Sequence, residues 1–304
     1  MDMQLERLLA TLGIAGGYRR LTTCDSTNHV LKQLAHDMMM RESQQNNARA
    51  KPSSHQKNCG EWDGPLSVPK DLPFVLVADE QTAGRGRQSN TWWTGQGALA
   101  LSMLLDANQH GLKPQTAAQL SLGMGYAVLQ ALQAMTEVTL IQSKNATLID
   151  DHDASVARPN IEIRWPNDVY VNDRKISGIL IEVPNTRHFV IGIGVNTNNS
   201  ASDAPKEIRD RVATLRDVLG QNIDQDLMVY LLCRAMMTVL SFFPSDLPEL
   251  IKMVEKDLFQ VGKMVNIVRE SESIAGKCLG LNSDGSLRVL TETGEKAVIS
   301  GVAL

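Results

Sequence analysis

The chain has no excess of positive charge: its 304 residues carry 30 Lys and Arg against 34 Asp and Glu, a formal charge of −4. A domain that grips DNA or RNA electrostatically shows a basic excess, so broad nucleic-acid binding is not expected. Aromatic residues are scarce, at 4%, and form no spaced series of the kind on which single-stranded bases stack. Cysteine is scarce too. Cys24, Cys59, Cys233 and Cys278 lie far apart, with no Cys-x-x-Cys pair and no histidine at metal-ligand spacing, which argues against a zinc site and for a reducing compartment. No apolar run approaches the ~20 residues that cross a bilayer. The N-terminus, with Asp2 and Glu6 around the start of a short apolar stretch from Leu8 to Ile14, lacks the basic and continuous apolar regions of a signal peptide. The expected location is cytoplasmic, with a mitochondrial one as the alternative, and no membrane association is expected.

What is present divides into two domains, residues 1–256 and 257–304. Two polar stretches, about 41–72 and about 143–159, read as insertions whose composition cannot repay its ordering entropy by burial; the first is expected to be a mobile surface loop. The second contains Asp150-Asp151-His152-Asp153, which reads as a solvated loop because no apolar frame fixes ligand geometry. Between them, Phe74 to Ala78 and Ala98 to Leu105 read as buried strands, and Leu120, Met124, Ala127, Ala131 and Met135 mark one face of a helix. Ile161 to Trp165, Ile179 to Val183 and Phe189 to Val195 give further strands, and a helix is predicted over about Asp224 to Phe243. After about Asp257, short alternating runs broken by Ser283-Asp284-Gly285 and Thr293-Gly294 predict a small β-barrel.

Two short motifs carry the chemistry. Strand Phe74 to Ala78 runs into Glu80-Gln81-Thr82-Ala83-Gly84-Arg85-Gly86-Arg87. Small residues let backbone amides approach a ligand, and guanidinium groups supply bidentate, charge-assisted donors suited to phosphate and carboxylate. The loop is neither a dinucleotide fingerprint, which would need glycine where Ser89 stands, nor a phosphate loop of the Gly-x-x-x-x-Gly-Lys type. Taken alone it is also consistent with a solvated turn. Trp92-Trp93 follows, either packing on an adenine or belonging to the core.

The second motif, Arg164-Trp165-Pro166-Asn167-Asp168, stands at a strand end, where proline stops regular pairing and Asn-Asp favours a turn. Asp168 there is a candidate Mg²⁺ ligand beside a nucleotide; the alternative is that Asn167 and Asp168 only form the turn. Lys175 lies on the return strand of a predicted hairpin, fixed at the rim of the core by the apolar run that follows it. Asn196 ends a later strand within reach of the same cleft.

In this order, with Asp25-Ser26-Thr27-Asn28, Lys175-Ile176-Ser177-Gly178-Ile179-Leu180 and Gly194-Val195-Asn196, these segments resemble the biotin protein ligases from about residue 21 to the C-terminus. The resemblance implies an α+β fold, a mixed sheet with flanking helices like that of class II aminoacyl-tRNA synthetases, plus a small C-terminal SH3-like β-barrel. It implies ATP-dependent joining of biotin to a lysine of a biotin carboxyl carrier domain of a carboxylase, through biotinyl-5′-AMP and with Mg²⁺. It places Ser26, Thr27 and Gln81 on the biotin ring, with Asn28, Gly84, Gly86 and Gly178 also in the binding set. Arg85 and Arg87 cover the adenylate, Trp92 lies near the adenine, and Asn167 and Asn196 touch the nucleotide. Lys175 contacts the biotin carboxylate and the α-phosphate, and Asp168 serves the metal.

Two residues depart from the family's pattern: Gln88-Ser89 stands where many relatives have Arg-Gly, and Arg164 where many have Lys. With about twenty residues ahead of Leu21, the monofunctional type without a DNA-binding domain is expected. The competing readings are a lipoate or octanoate ligase or transferase of the same fold, and a catalytically silent biotin-binding protein.

Overall fold

The computed structural model describes residues 2–46, 66–87, 90–146, 158–269 and 272–303. Helix α1 (Asp2–Thr11) leads into strand β1 (Tyr18–Cys24) and helix α2 (Thr27–Asn46), followed by β2 (Phe74–Gln81), β3 (Leu99–Asp106) and the long α3 (Ala117–Ala146). Strands β4 (Ile161–Arg164), β5 (Asp168–Val171), β6 (Arg174–Glu182) and β7 (His188–Val195) come next. Then follow the short helices α4 (Lys206–Arg209) and α5 (Leu215–Leu219), and the longer α6 (Gln225–Leu240) and α7 (Leu247–Lys256). The C-terminal strands are β8 (Met264–Arg269), β9 (Glu272–Leu281), β10 (Leu287–Thr291), β11 (Gly294–Val298) and β12 (Val302–Ala303).

The first seven strands form one sheet in the order β1-β2-β3-β7-β6-β5-β4, with β1 and β2 parallel and the remaining pairs antiparallel. Its central strands read as continuous apolar runs because both faces are covered. Side-chain alternation sends Val75 and Val77 to one face, with α3 and α6, and Leu76 and Ala78 to the other, with Val30, Leu31 and Leu34 of α2. The expected mixed sheet flanked by helices is what forms, and the small C-terminal domain is a five-stranded antiparallel sheet in the order β11-β10-β9-β8-β12.

The polar stretches begin later than their composition suggested. Helix α2 continues through Asn46 and α3 through Ala146, because Glu, Gln and Arg extend a helix as readily as a loop once an apolar face has anchored it. The Ser43 and Ser143 hydroxyls return to the carbonyls of Met39 and Thr139. Residues 47–65 and 147–157, including the Asp150 to Asp153 cluster, lie outside the described residues. Strand β1 and helices α1 and α7 were not anticipated: β1 buries only Tyr18, Leu21 and Cys24, and the two helices are ten residues each, although α7 buries Leu250, Ile251 and Val254.

The two sheets meet at the second motif. Trp165 is 3% exposed; its backbone N–H donates to Gln260 Oε1 at 3.2 Å and its indole N–H to the Gly285 carbonyl at 3.2 Å. Ile163 exchanges backbone hydrogen bonds with Asp257 and Phe259 at 2.9 Å each, and Glu255 of α7 accepts from Leu281 N–H. Removing the indole leaves a void at this junction. Trp165→Ala should therefore lose about 3–5 kcal/mol of stability, read as a fall in urea midpoint at unchanged m-value.

Candidate active site

One cleft of ≈ 260 Å³ gathers the motifs. Its wall runs from Ser26, Thr27 and Asn28 at the start of α2, through Gln81 at the end of β2, to Arg85, Gly86, Arg87, Asn90, Thr91 and Trp92. Arg164 to Asp168, Lys175 and Gly178 complete it, with Gln260 and Gly301 from the C-terminal segment. Of the residues singled out from the sequence, Ser26, Thr27, Asn28, Gln81, Arg85, Gly86, Arg87, Trp92, Asn167, Asp168, Lys175 and Gly178 all lie on this wall.

The floor is glycine. Gly178 of β6 stands opposite Gly194 of β7 in the ladder, and a Cβ built at Gly194 would lie 2.4 Å from the Trp92 indole, one at Gly178 3.3 Å from it. A Cβ on Gly192, two residues earlier, would lie 2.1 Å from the Asn28 side chain. Buried strand glycines mark the close approach of another group, and here they let an indole lie directly on the sheet. The glycine-arginine loop is tied to the backbone of the residue that carries that indole: the Trp92 backbone N–H donates to the Gly84 carbonyl at 3.0 Å, Gly86 N–H to the Asn90 carbonyl at 2.8 Å, and Arg85 bridges to Thr91. It is a folded-back ribbon rather than a solvated turn. Gly84 is off the cleft wall; a Cβ there would lie 2.5 Å from the Trp92 carbonyl, so its role is backbone packing.

Charge concentrates at one end. The Lys175 ammonium sits 2.8 Å from Asp168 Oδ1 and 5.8 Å from the centre of a Trp92 ring. Arg87 donates to Asn167 Oδ1 at 3.2 Å, and Asn167 in turn donates to the Ile179 carbonyl at 2.6 Å. Burial holds the Arg87 pKa below its ordinary value, against the opposing pull of Asp168; the shift is downward from a very high value, and the guanidinium stays charged. A cation paid for in desolvation is well suited to a phosphate, because the same low dielectric strengthens the attraction.

The other end presents neutral hydrogen-bonding side chains. Thr27 N–H donates to Gln81 Oε1 at 2.9 Å, Gln81 Nε2 to Thr94 Oγ1 at 3.2 Å, and Ser102 Oγ lies 2.7 Å from both Thr27 Oγ1 and Asn28 Oδ1. Nearby, burial and then the Asp25 charge push the Cys24 thiol up to about 12, so it is no nucleophile at neutral pH.

Three placements differ from expectation or add to it. Asn196 is not on the cleft wall: it is 2% exposed, its side-chain oxygen accepts from Asn199 at 3.0 Å, and its backbone links Ile176 to Leu215. Its expected contact to a nucleotide stays a proposal. Arg164, on the wall, is held between the rings of Tyr170 and Phe259, each 4.0 Å from its guanidinium carbon, and pairs with Glu162 at 2.7 Å. Planar stacking on two rings is a guanidinium property, which accounts for arginine at this position. Ser102 and Gly192 were not singled out, and Gly194 only as part of the Gly194-Val195-Asn196 motif; the Ile-Gly-Ile-Gly-Val alternation was the available signal for the two glycines. Among the described residues no three His, Cys, Asp or Glu side chains form a metal cluster.

Residues 61–196 match the biotin/lipoate A/B protein ligase family, and residues 261–303 match the biotin protein ligase C-terminal domain. Together the matches span more than half of the chain. The chain belongs to the biotin protein ligase family. It is 30% identical over 238 residues to the bifunctional ligase/repressor BirA of Bacillus subtilis, an alignment that takes in 74% of this chain and 64% of that protein. It thus spans less than two thirds of the length of that relative. The biotin--[acetyl-CoA-carboxylase] ligase of Mycobacterium tuberculosis is 30% identical over 145 residues, 47% of this chain and 45% of its own. Among solved structures, the biotin protein ligase of Aquifex aeolicus in complex with biotin and ATP superposes with a TM-score of 0.67 at 27% identity, covering 94% of this chain and 97% of that one.

The glycine floor of this family member is directly testable. Gly194→Ala should keep the far-ultraviolet circular dichroism but displace Trp92, shifting its fluorescence emission relative to a Trp92→Phe control; an unshifted spectrum would show that the indole does not rest there.

Proposed function

We propose that the chain activates biotin with ATP and transfers it to a lysine of a biotin carboxyl carrier domain. The carrying observation is that one cleft holds neutral hydrogen-bonding groups at Thr27 and Gln81 and, apart from them, the cations Lys175 and Arg87 beside Asp168 and Asn167. An acyl-adenylate has the same division. In the first step a biotin carboxylate oxygen bonds to the α-phosphorus of ATP as the bond to the pyrophosphate oxygen breaks. In the second, the acceptor lysine's amine attacks the carbonyl, loses a proton, and AMP departs with the bonding pair. Negative charge grows at phosphate oxygens in the first step and at the carbonyl oxygen in the second.

The chain's own residues then act by position and charge. Lys175, steadied by Asp168, reaches the carboxylate and α-phosphate. Arg87, braced on Asn167, faces the phosphates, and Trp92 offers a flat apolar surface to the adenine. The folded-back loop excludes water from the mixed anhydride. Thr27 and Gln81 meet the polar ring. Mg²⁺ would neutralise phosphate charge, and the donor set fits an ion held mainly by nucleotide oxygens and water: among the described residues Asp168 is the one carboxylate on the wall, with Oδ1 engaged by Lys175.

The polar end also separates biotin from lipoate or octanoate, because an alkyl chain or dithiolane has no use for buried donors and acceptors and would leave them unpaired. A reducing, cytoplasmic setting is proposed with it, supported by the free buried thiols of Cys24, Cys233 and Cys278. Incubation with biotin, ATP and a carrier domain should add one biotinyl group to the carrier's lysine, read by mass; an unmodified carrier would contradict the reading. Lys175→Ala should lower adenylate formation by about 10²-fold or more with the thermal midpoint little changed, whereas undiminished turnover would remove Lys175 from the chemistry and favour a role in binding alone.

A further inference from the structure

Lys175 reaches the cleft through an irregularity in its strand. Asp168 and Tyr170, two residues apart on β5, share one face as strand alternation requires, and both lie on the cleft wall. Lys175 and Gly178, three apart on β6, would fall on opposite faces of a regular strand, yet both line the cleft. Asp168 stands opposite Gly178, Val169 opposite Ser177 and Tyr170 opposite Lys175, so Ile176 is an extra residue on β6 with no partner on β5. Such a bulge shifts the phase of the side chains and re-aims the one beside it. Ile176 and Ser177 are both 0% exposed and off the cleft wall, and Lys175 returns to the cleft side. Where β7 has ended, residues 211–213 become the neighbour of β6: Lys175 N–H donates to the Arg211 carbonyl at 2.8 Å, and Ala213 N–H to the Lys175 carbonyl at 2.9 Å.

The bulge thereby sets Tyr170 directly across from Lys175, on the same wall as Asp168. Its ring is clamped. The Arg164 guanidinium carbon stands 4.0 Å from the ring centre, and Arg164 is itself held by Glu162 at 2.7 Å, by Asp173 and against the ring of Phe259. Stacking on a fixed plane orients the ring and uses none of the hydroxyl's hydrogen-bonding capacity. That hydroxyl has no hydrogen-bond partner among the described residues. A phenol keeps its proton at neutral pH, so it is free to donate.

We infer that the Tyr170 hydroxyl is a catalytic hydrogen-bond donor to the pyrophosphate that leaves in the first step. This rests on the reading of the cleft as a site that joins biotin to AMP. The direction comes from the in-line geometry of phosphoryl transfer. On that reading biotin lies at the end of the cleft where Asn28 donates to the Leu180 carbonyl at 3.3 Å, so its carboxylate meets the α-phosphorus at Lys175 from the Leu180 side. The cleft side of β6 runs from Leu180 through Gly178 to Lys175, and a group departing opposite to the entering oxygen moves on past Lys175, where Tyr170 stands. As the bond from the α-phosphorus to the bridging oxygen breaks, its electron pair goes to pyrophosphate. The phenol offers a hydrogen bond to that growing charge and transfers no proton.

The test is biotin-dependent exchange of labelled pyrophosphate into ATP, with pyrophosphate and biotin each varied, for the protein and its Tyr170→Phe variant. Phenylalanine keeps the ring and its stack on Arg164 and deletes the hydroxyl alone. The variant should lose about tenfold in kcat/KM for pyrophosphate, with the KM for biotin and the thermal midpoint nearly constant. Because the hydroxyl meets only the leaving group, transfer of biotin from supplied biotinyl-5′-AMP to the carrier domain should stay within about twofold, whereas a merely structural role would lower both reactions. A kcat/KM for pyrophosphate within about twofold of the unsubstituted protein, or an equal loss in exchange and in transfer from the adenylate, would overturn the inference. Absence of biotin-dependent exchange in the unsubstituted protein would instead overturn the proposed function.

Discussion

The contact on which the site depends is an indole lying flat on glycine. Trp92 can occupy the middle of the sheet's exposed surface only because Gly178 and Gly194 stand side by side in β6 and β7 with no Cβ to hold it off. Glycine weakens a strand through entropy and lost packing, so two paired glycines in the centre of a sheet are a local cost in stability. What they give in return is geometry. The indole seats the loop that begins at Gly84, and that loop brings Arg85 and Arg87 over the cleft. The same surface places Lys175 within 5.8 Å of the ring and 2.8 Å of Asp168.

From this arrangement the electrostatics follow. Cations and an amide are aimed at one end of the cleft by partners that are themselves fixed: Lys175 by Asp168, Arg87 by Asn167, and Asn167 by the Ile179 carbonyl. Held in a partly desolvated cleft, they do not have to reorganise as charge develops, which is where most stabilisation of a phosphoryl-transfer transition state arises. At the other end Thr27, Gln81, Asn28 and Ser102 form a chain of neutral hydrogen bonds that fixes the side chains facing the ligand. The C-terminal segment takes part in the first, because Gln260 grips the backbone of Trp165 immediately before Pro166, Asn167 and Asp168.

Much of this was legible in the order of residues because the site is built from short continuous segments. The Gly-Arg-Gly-Arg loop, the Trp-Pro-Asn-Asp turn and Lys175 each carry unusual residue combinations, and all three reach the cleft. What failed to show had physical reasons. Strand β1 lies at the sheet edge and buries few side chains, so it lacked alternation. Helix α2 outruns its apolar face into a polar tail that composition reads as loop. The floor glycines of β7 were invisible in a different sense, since a glycine in a strand announces a close approach without saying what approaches.

The account stands or falls on whether this cleft makes an adenylate from biotin. Exchange of labelled pyrophosphate into ATP, with no carrier protein present, isolates that step. The account predicts exchange that depends on biotin, saturates with it and is not supported by lipoate or octanoate. Exchange driven by lipoate and silent with biotin would contradict it.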